Sequence, residues 1–333
     1  MNPLVSILIP AYNAEEWIAD TIRSTLGQTW PRKEIIIVDD GSTDRTLSIA
    51  REFASGDVSV FTQPNQGASA ARNKAYAVSK GDYIQWLDAD DLLAPDKLEK
   101  QMHAVSSCQS NRTLFSSAWA YFAYRRSKAR FIPTPLWEDL TPAEWLYRKL
   151  ELNLHMPNST WLVSRQLCDA AGPWDQRLSL DDDGEYFCRV LMASDGIRFV
   201  PDVRAYYRSS GFSSLSNVDQ SDKKLESLCL SLKLHVAYLR SLEDSQRVRR
   251  ACLEYLQRWL VFFYPKRVDL AKELEELAGC LDGQLTVPRL SWKYEWVRKA
   301  LGWEAARHAQ TWLPRLRWSL FRSWDNLLFR MGR

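Results

Sequence analysis

The chain has 333 residues, 46% hydrophobic and 26% charged, an ordinary globular composition that excludes a largely disordered or fibrous protein. A net charge of +3 gives no whole-chain pull toward nucleic acid, and six cysteines scattered singly lack the paired spacing of zinc or redox motifs. No segment approaches the roughly 18 apolar residues of a membrane-spanning helix, and MNPLVSILIPAYN lacks the basic flank and apolar length of an export signal, so the expected location is the cytoplasm.

The first hundred residues alternate strand and helix patterns. A buried-type strand over 5–9 ends at Pro10. Asn13 and Glu16 have capping-box spacing ahead of Ile18, Ile22 and Leu26, which predicts a helix. A second strand over 34–38 ends in Asp39, Asp40, Gly41 and Ser42, a turn that opens a helix through Leu47, Ala50 and Phe53. A third strand (58–61) and helix (67–79) precede a fourth strand (82–87), which runs straight into Asp88, Ala89, Asp90 and Asp91. Repeated βαβ units predict an α/β fold with a Rossmann-like, mostly parallel sheet. Right-handed crossovers put the carboxyl ends of the strands on one edge, where ligands bind. Tyr12, Asp40 and Asp88 all lie at or just beyond such ends.

After residue 105 the pattern loosens. FSSAWAYFAY (115–124) and STWLVS (159–164) read as strands, Thr141-Pro142-Ala143-Glu144 as a helix start, and 183–194 as helical. Beyond residue 220 the chain reads as almost wholly helical, with breaks at Pro265 and Pro288. The expected division is an α/β catalytic region over 1–218 and a helical region over 219–333, basic and tryptophan-rich at its end.

Asp88 and Asp90, two residues apart on an extended strand end, point toward a common spot about 7 Å of backbone wide. Two converging carboxylates need a cation, and hard ions such as Mg²⁺ or Mn²⁺ are typically held by one or two carboxylates plus substrate phosphates. The competing reading is a solvated acidic loop that caps the helix after Pro95.

Several ordered segments decide between these readings: VSILIPAYNAEEWIADTIRSTLGQTW, EIIIVDDGSTDRT, NQGASAARNKA, GDYIQWLDADDLLAPDKL and GPWDQRLSLDDDGEYFCRV. Together they resemble the family 2 glycosyltransferases, inverting enzymes with the nucleotide-diphospho-sugar transferase fold called GT-A. The resemblance is close over 3–105, patchier to about 215 and absent beyond. It implies that Asp40 bonds the nucleotide base, that Tyr12 packs against that base, and that Pro10 shapes the same wall. It implies further that Asp88 lies near the ribose and the metal, that Asp90 binds the metal, and that Arg72 lies near the nucleotide. In LSLDDDGEYFCRV it aligns Asp183 with the general base and Arg189 with the family's downstream arginine, while Asp182 occupies a position that is usually Glu. A helix amino-terminus favours an ionised carboxylate, whereas crowding among Asp181, Asp182, Asp183 and Glu185 pulls its pKa upward. Asp181 to Asp183 as plain helix caps is the alternative.

The resemblance also places LHMPNSTW (154–161) at the acceptor pocket, with His155, Asn158 and Trp161 as candidates, although Trp161 reads equally as a core residue. From Leu290 to Arg333, nine basic residues face three acidic ones among six tryptophans, a composition suited to an anionic membrane surface or to packing on the protein itself. The implied activity is transfer of a sugar from a nucleotide-diphosphate donor, a UDP-sugar first among them, to a saccharide or lipid-linked acceptor. Mn²⁺ or Mg²⁺ is the implied cofactor, and docking at the inner face of the membrane would follow from the basic tail. The alternative is a catalytically inactive GT-A-like sugar-binding or membrane-associated scaffold. A dinucleotide oxidoreductase fits poorly, because the first turn reads PAYNAEE where glycine-rich phosphate contact is needed.

Overall fold

The computed structural model describes residues 2–209, 221–264 and 266–287, together with 297, 299–302, 319, 322–329 and 331 near the carboxy-terminus. In chain order the elements are β1 (Val5–Ala11), α1 (Ile18–Leu26), β2 (Lys33–Asp39), α2 (Thr46–Glu52), β3 (Val58–Thr62), α3 (Ala68–Val78) and β4 (Tyr83–Trp86). There follow β5 (Leu92–Leu93), α4 (Lys97–Ser106), β6 (Thr113–Phe122), α5 (Pro142–Leu152), β7 (Val163–Ser164), α6 (Arg165–Ala171), α7 (Asp182–Ala193) and β8 (Gly196–Arg208). Three more helices follow: α8 (Asp222–Leu242), α9 (Gln246–Trp259) and α10 (Val268–Gly279).

The main sheet has the order β3-β2-β1-β4-β7, with the first four strands parallel and β7 antiparallel on β4. Its strands are apolar on both faces because both faces are covered. Val5, Ile7 and Ile9 pack in one cluster with Ile18, Ile22, Leu98 and Met102 of α1 and α4. Leu8, Ile36, Val38 and Trp86 face the other way, with Ala71 and Ala75 of α3. That second cluster continues through Tyr186 and Phe187 of α7 to Leu228 and Leu232 of α8, Leu256 of α9 and Leu274 of α10. One core therefore underlies both the α/β region and the carboxy-terminal helices. The expected boundary at 218 falls on residues outside those described.

A second sheet, β5-β8-β6, pairs β6 with β8 in parallel. The long strand β8 is absent from the sequence reading because Pro201 interrupts it and Arg198, Asp202 and Arg204 blur its alternation. The structure absorbs Pro201 in an irregularity: Ser117 pairs with Val200, but Ala118 pairs with Arg204. Of the predicted strand over 159–164, Val163–Ser164 joins the main sheet and Leu162 forms an isolated bridge with Phe115, whereas Asn158–Thr160 forms a 3-10 turn.

The helix predicted at Thr141 begins as expected, with the threonine side chain accepting from the Glu144 amide and Pro142 in the first turn. The predicted Asn13 capping box does not form. Asn13 takes a left-handed φ of 47°, and its side-chain oxygen accepts from the Thr43 amide at 2.8 Å, tying the loop after β1 to the loop after β2. Helix α1 starts instead at Ile18, with no side-chain cap. Among the described residues no helix is long and apolar enough to cross a membrane.

Candidate active site

The carboxyl ends of β1, β2 and β4 sit side by side, because β1 lies between the other two. From β1 come Pro10, partly buried, and Tyr12, 50% exposed. From β2 comes Asp40, buried, whose carboxylate accepts from the Gln63 amide side chain (2.7 Å), the Gln66 amide (3.0 Å) and the Gly67 amide (2.7 Å). Asp40 thus braces the 63–67 turn that leads into α3. Gly41 completes the bend at φ 74°, where an added Cβ would lie 2.8 Å from the Asn65 nitrogen.

At the end of β4, Asp88 and Asp90 stay partly exposed while Asp91 is fully buried. Asp91 accepts from the Arg208 amide at 2.8 Å and from the Ser159 hydroxyl at 3.3 Å. Burial first, then the neighbouring Asp90 and Asp88, push its carboxyl well above the ordinary range. Arg208 also donates from Nε to the Asp90 carbonyl at 2.7 Å, and its guanidinium lies over Trp17 (4.2 Å) and Phe122 (4.3 Å). This brace comes from the unpredicted strand β8, and no local signal around Arg208 announces it.

Asp88 accepts from Arg72 Nη2 at 2.8 Å and from Asn158 Nδ2 at 3.1 and 3.3 Å. Arg72, buried on α3, donates its other terminal nitrogen to Asp182 at 2.5 Å and stacks over Trp174 at 4.4 Å. One guanidinium therefore ties the strand-end carboxylate of Asp88 to the start of α7, 110 residues beyond Arg72 itself. The Ser69 hydroxyl adds a 3.2 Å bond to the same Asp182 oxygen.

Asp181 precedes α7 at φ 58° and makes no side-chain capping bond. Its carboxylate curls over Gly184, where a Cβ would come within 2.1 Å of Asp181 Oδ1 and displace that carboxylate. Asp183 accepts from the Gly184 amide at 2.8 Å. Loss of water around it, then the charges of Asp182, Asp181 and Asp88, push its carboxyl up to about 7, with Arg72 pulling the other way. Asp181 makes no capping bond, while Asp182 and Asp183 accept from the Asp183 and Gly184 amides of the first turn. Arg189 pairs with Glu185 at 2.7 and 2.9 Å and donates to the Ala171 carbonyl, so its guanidinium is held away from the cleft carboxylates.

Side chains of α8 grip this segment from below. The Ser227 hydroxyl accepts from the Ser179 and Leu180 amides at 2.9 and 3.0 Å, and Tyr238 donates to Glu185 at 2.7 Å. Buried His235 bonds Tyr255 at 2.9 Å and lies 3.7 Å from Asp181. None of these residues was legible in the sequence, since each lies some 50 residues from its target on a helix with no motif.

On the acceptor side, exposed His155 bonds the Tyr121 hydroxyl at 3.1 Å and packs beside Trp119. Of the two readings of Trp161, pocket or core, the core one holds: it is fully buried and stacked on Phe187 at 5.1 Å. Asn158 faces Asp88. Most of the basic, tryptophan-rich tail lies outside the described residues. Where described, the helical segment 322–329 docks on the end of β6: buried Asp325 accepts from the Tyr124 amide (2.9 Å), the Arg125 amide (3.1 Å) and Arg125 Nε (2.6 Å).

For a hard divalent ion, Asp88 and Asp90 supply the right donors. Asp88 Oδ2 is engaged by the long Asn158 contact alone among the described residues, which leaves it lone-pair capacity. Among the described residues no three His, Cys, Asp or Glu side chains converge into a ready cage. A metal shared between one or two carboxylates and a diphosphate needs none.

An open, mostly parallel sheet with carboxylates at its strand ends and a carboxylate-bearing helix start facing them defines the nucleotide-diphospho-sugar transferase class with the GT-A fold. The same fold is found in Staphylococcus aureus TarS, residues 1–349, solved in complex with UDP-GlcNAc: the TM-score is 0.60 at 18% identity, over 82% of this chain and 90% of that one. Residues 6–132 match the family described as Glycosyl transferase family 2, so this segment carries that family's glycosyltransferase domain. An uncharacterized glycosyltransferase of Rickettsia typhi is 30% identical over 58% of this chain and 60% of its own length. The chondroitin synthase of Escherichia coli is 46% identical over 29% of this chain and 14% of its own length. A third relative, an uncharacterized glycosyltransferase of Haemophilus influenzae, is 46% identical over 30% of this chain and 42% of its own length. The match thus spans less than two thirds of each of these relatives.

Proposed function

We propose that this protein is an inverting glycosyltransferase that moves a sugar from a UDP-sugar to a hydroxyl of a saccharide or lipid-linked acceptor. The observation that carries the reading is the Arg72 bridge, which holds the strand-end carboxylates and the Asp182–Asp183 segment on one cleft. Asp183, poised near neutrality, takes the proton of the acceptor hydroxyl. The hydroxyl oxygen then forms its bond to the anomeric carbon while the bond from that carbon to the diphosphate oxygen breaks on the opposite face. The electron pair leaves with the nucleoside diphosphate.

Arg72 lies where it can share the negative charge of that leaving group. Mn²⁺ or Mg²⁺ held by Asp88 and Asp90 would neutralise the diphosphate. Tyr12 and Pro10 form the wall for the base, and Asp40 acts there with the 63–67 turn it braces. His155 and Tyr121 line the acceptor side. The chondroitin synthase relative supports a saccharide acceptor, and the UDP-GlcNAc complex of TarS supports a UDP donor. The basic residues of 290–333 would bring the cleft to an anionic surface carrying a lipid-linked acceptor, with the cytoplasmic face as the site of action.

Calorimetric titration with UDP, GDP and dTDP, each with and without Mn²⁺, tests the donor half. Metal-dependent binding of UDP is expected. Binding of no nucleotide would leave the scaffold alternative. Asp90→Asn should abolish the metal dependence, whereas Asp183→Asn should leave binding intact and remove turnover.

A further inference from the structure

Lys97, the first residue of α4, is fully buried, and among the described residues it has no carboxylate partner. Burial alone pulls its amine well below the ordinary lysine pKa, so the position carries a desolvation cost that apolar packing would avoid. Its Nζ donates to two amide oxygens, Gln85 Oε1 on β4 and Gln101 Oε1 one turn along α4 (2.6 Å for the latter). Amine contacts at the oxygen ends turn the nitrogen end of each amide outward. Gln85 Nε2 donates to the Trp86 carbonyl (2.6 Å) and the Ser159 carbonyl (3.3 Å), and Gln101 Nε2 to the Thr160 carbonyl (3.1 Å).

Ser159 and Thr160 belong to the 3-10 turn that begins at Asn158, and it is Asn158 that donates to both oxygens of Asp88. Such a short turn has little hydrogen bonding of its own, so its carbonyls depend on outside donors. We propose that Lys97 is a positioning residue for the donor site: by orienting Gln85 and Gln101 it holds the Asn158–Thr160 turn and thereby aims Asn158 at Asp88. The role belongs to a buried lysine on an element otherwise read as scaffold. Its consequence for the donor depends on the reading of Asp88 given above.

The test is a double-mutant cycle on Mn²⁺-dependent UDP binding with Lys97→Met, Asn158→Ala and the pair. Each single variant should weaken UDP about tenfold, the effect of one lost hydrogen bond of about 1.4 kcal/mol. The double variant should bind within about twofold of Asn158→Ala, because Lys97 acts through Asn158. Multiplied effects, or a Lys97→Met protein that binds as wild type, would overturn the proposal. Hydrogen exchange without ligand provides a second readout: the amides of 158–162 should exchange faster in Lys97→Met, and unchanged exchange would also overturn it. A wild-type protein that binds no nucleotide would sink the donor-site reading, while exchange would still decide whether Lys97 holds the turn. Should Lys97→Met fail to fold, Gln101→Met removes one arm and should shift both readouts the same way by less.

Discussion

At the end of β4, Asp91 is buried and held by the Arg208 amide and the Ser159 hydroxyl, whereas at the start of α7, Asp183 accepts from its own neighbour Gly184 and sits among three other carboxylates. Both carboxyls are pushed upward in pKa, but for different purposes. Asp91 is a brace whose donors come from two distant segments, and its removal leaves those donors without a partner. Asp183 is crowded and under-bonded, so its proton is easily exchanged near neutral pH. Like residues in like clusters thus differ in how completely their oxygens are satisfied, and the proposed function assigns the satisfied one to architecture and the crowded one to chemistry.

The sharpest way to break this comparison is Asp183→Asn. Turnover should fall by about 10³-fold, within the range a lost general base produces, with the UDP dissociation constant held within about twofold. In the wild type, activity should rise with pH through about 7, because the protonated carboxyl below that value cannot accept the acceptor's proton. Turnover that is flat from pH 5.5 to 8.5, or equal in the two proteins, would remove Asp183 from the role.

Arg72→Met should weaken UDP binding by about 100-fold, since charged hydrogen bonds of roughly 1.5–3 kcal/mol are lost. It should also move the ascending limb of the pH profile upward. Arg72 lowers the Asp183 pKa, so its loss raises that value further. A limb that stays put would separate Arg72 from the base.

Stability distinguishes the two clusters next. Asp91→Ala should cost about 2 kcal/mol, as buried donors lose their acceptor, read from the urea midpoint. For Asp183 the sign reverses. A carboxyl whose folded pKa is raised from 3.8 to about 7 contributes stability below pH 4 that is lost as pH rises through 7. Asp183→Asn should therefore raise the melting temperature at pH 8 and have little effect at pH 4. A uniform effect across that range would mean that the crowding at α7 is not felt.

The smallest expected effect is Ser227→Ala on α8. It should cost about 1 kcal/mol, with a few-fold loss of turnover and UDP binding unchanged. An equal loss of UDP binding would show that α8 supports the whole cleft rather than the α7 segment alone.

Much of the framework was legible from residues 1–105, because parallel strands covered on both faces read as unbroken apolar runs and the turns after them carry Asp, Gly and Ser. Asp88, Asp90 and Asp183 stood out because carboxylates clustered at a strand end or a helix start are conspicuous in any sequence. Asn158 was visible only as a pocket candidate, Arg208 was hidden at the end of a strand disguised by Pro201, and Trp161 read equally as pocket or core until its burial decided for the core. The same hydrophobic surface serves a core or a sugar site, so the residue alone does not distinguish them.

By itself the amino-acid sequence determined the alternation of strands and helices, the edge on which the acidic residues collect and the family resemblance, since these follow from periodicity and local turn chemistry. Tertiary structure decided which carboxylates are satisfied and which are crowded. The donors responsible are Arg72, Asn158, Ser159 and Arg208. They reach their targets across separations of up to 117 residues, and only the packed fold brings them within hydrogen-bonding distance.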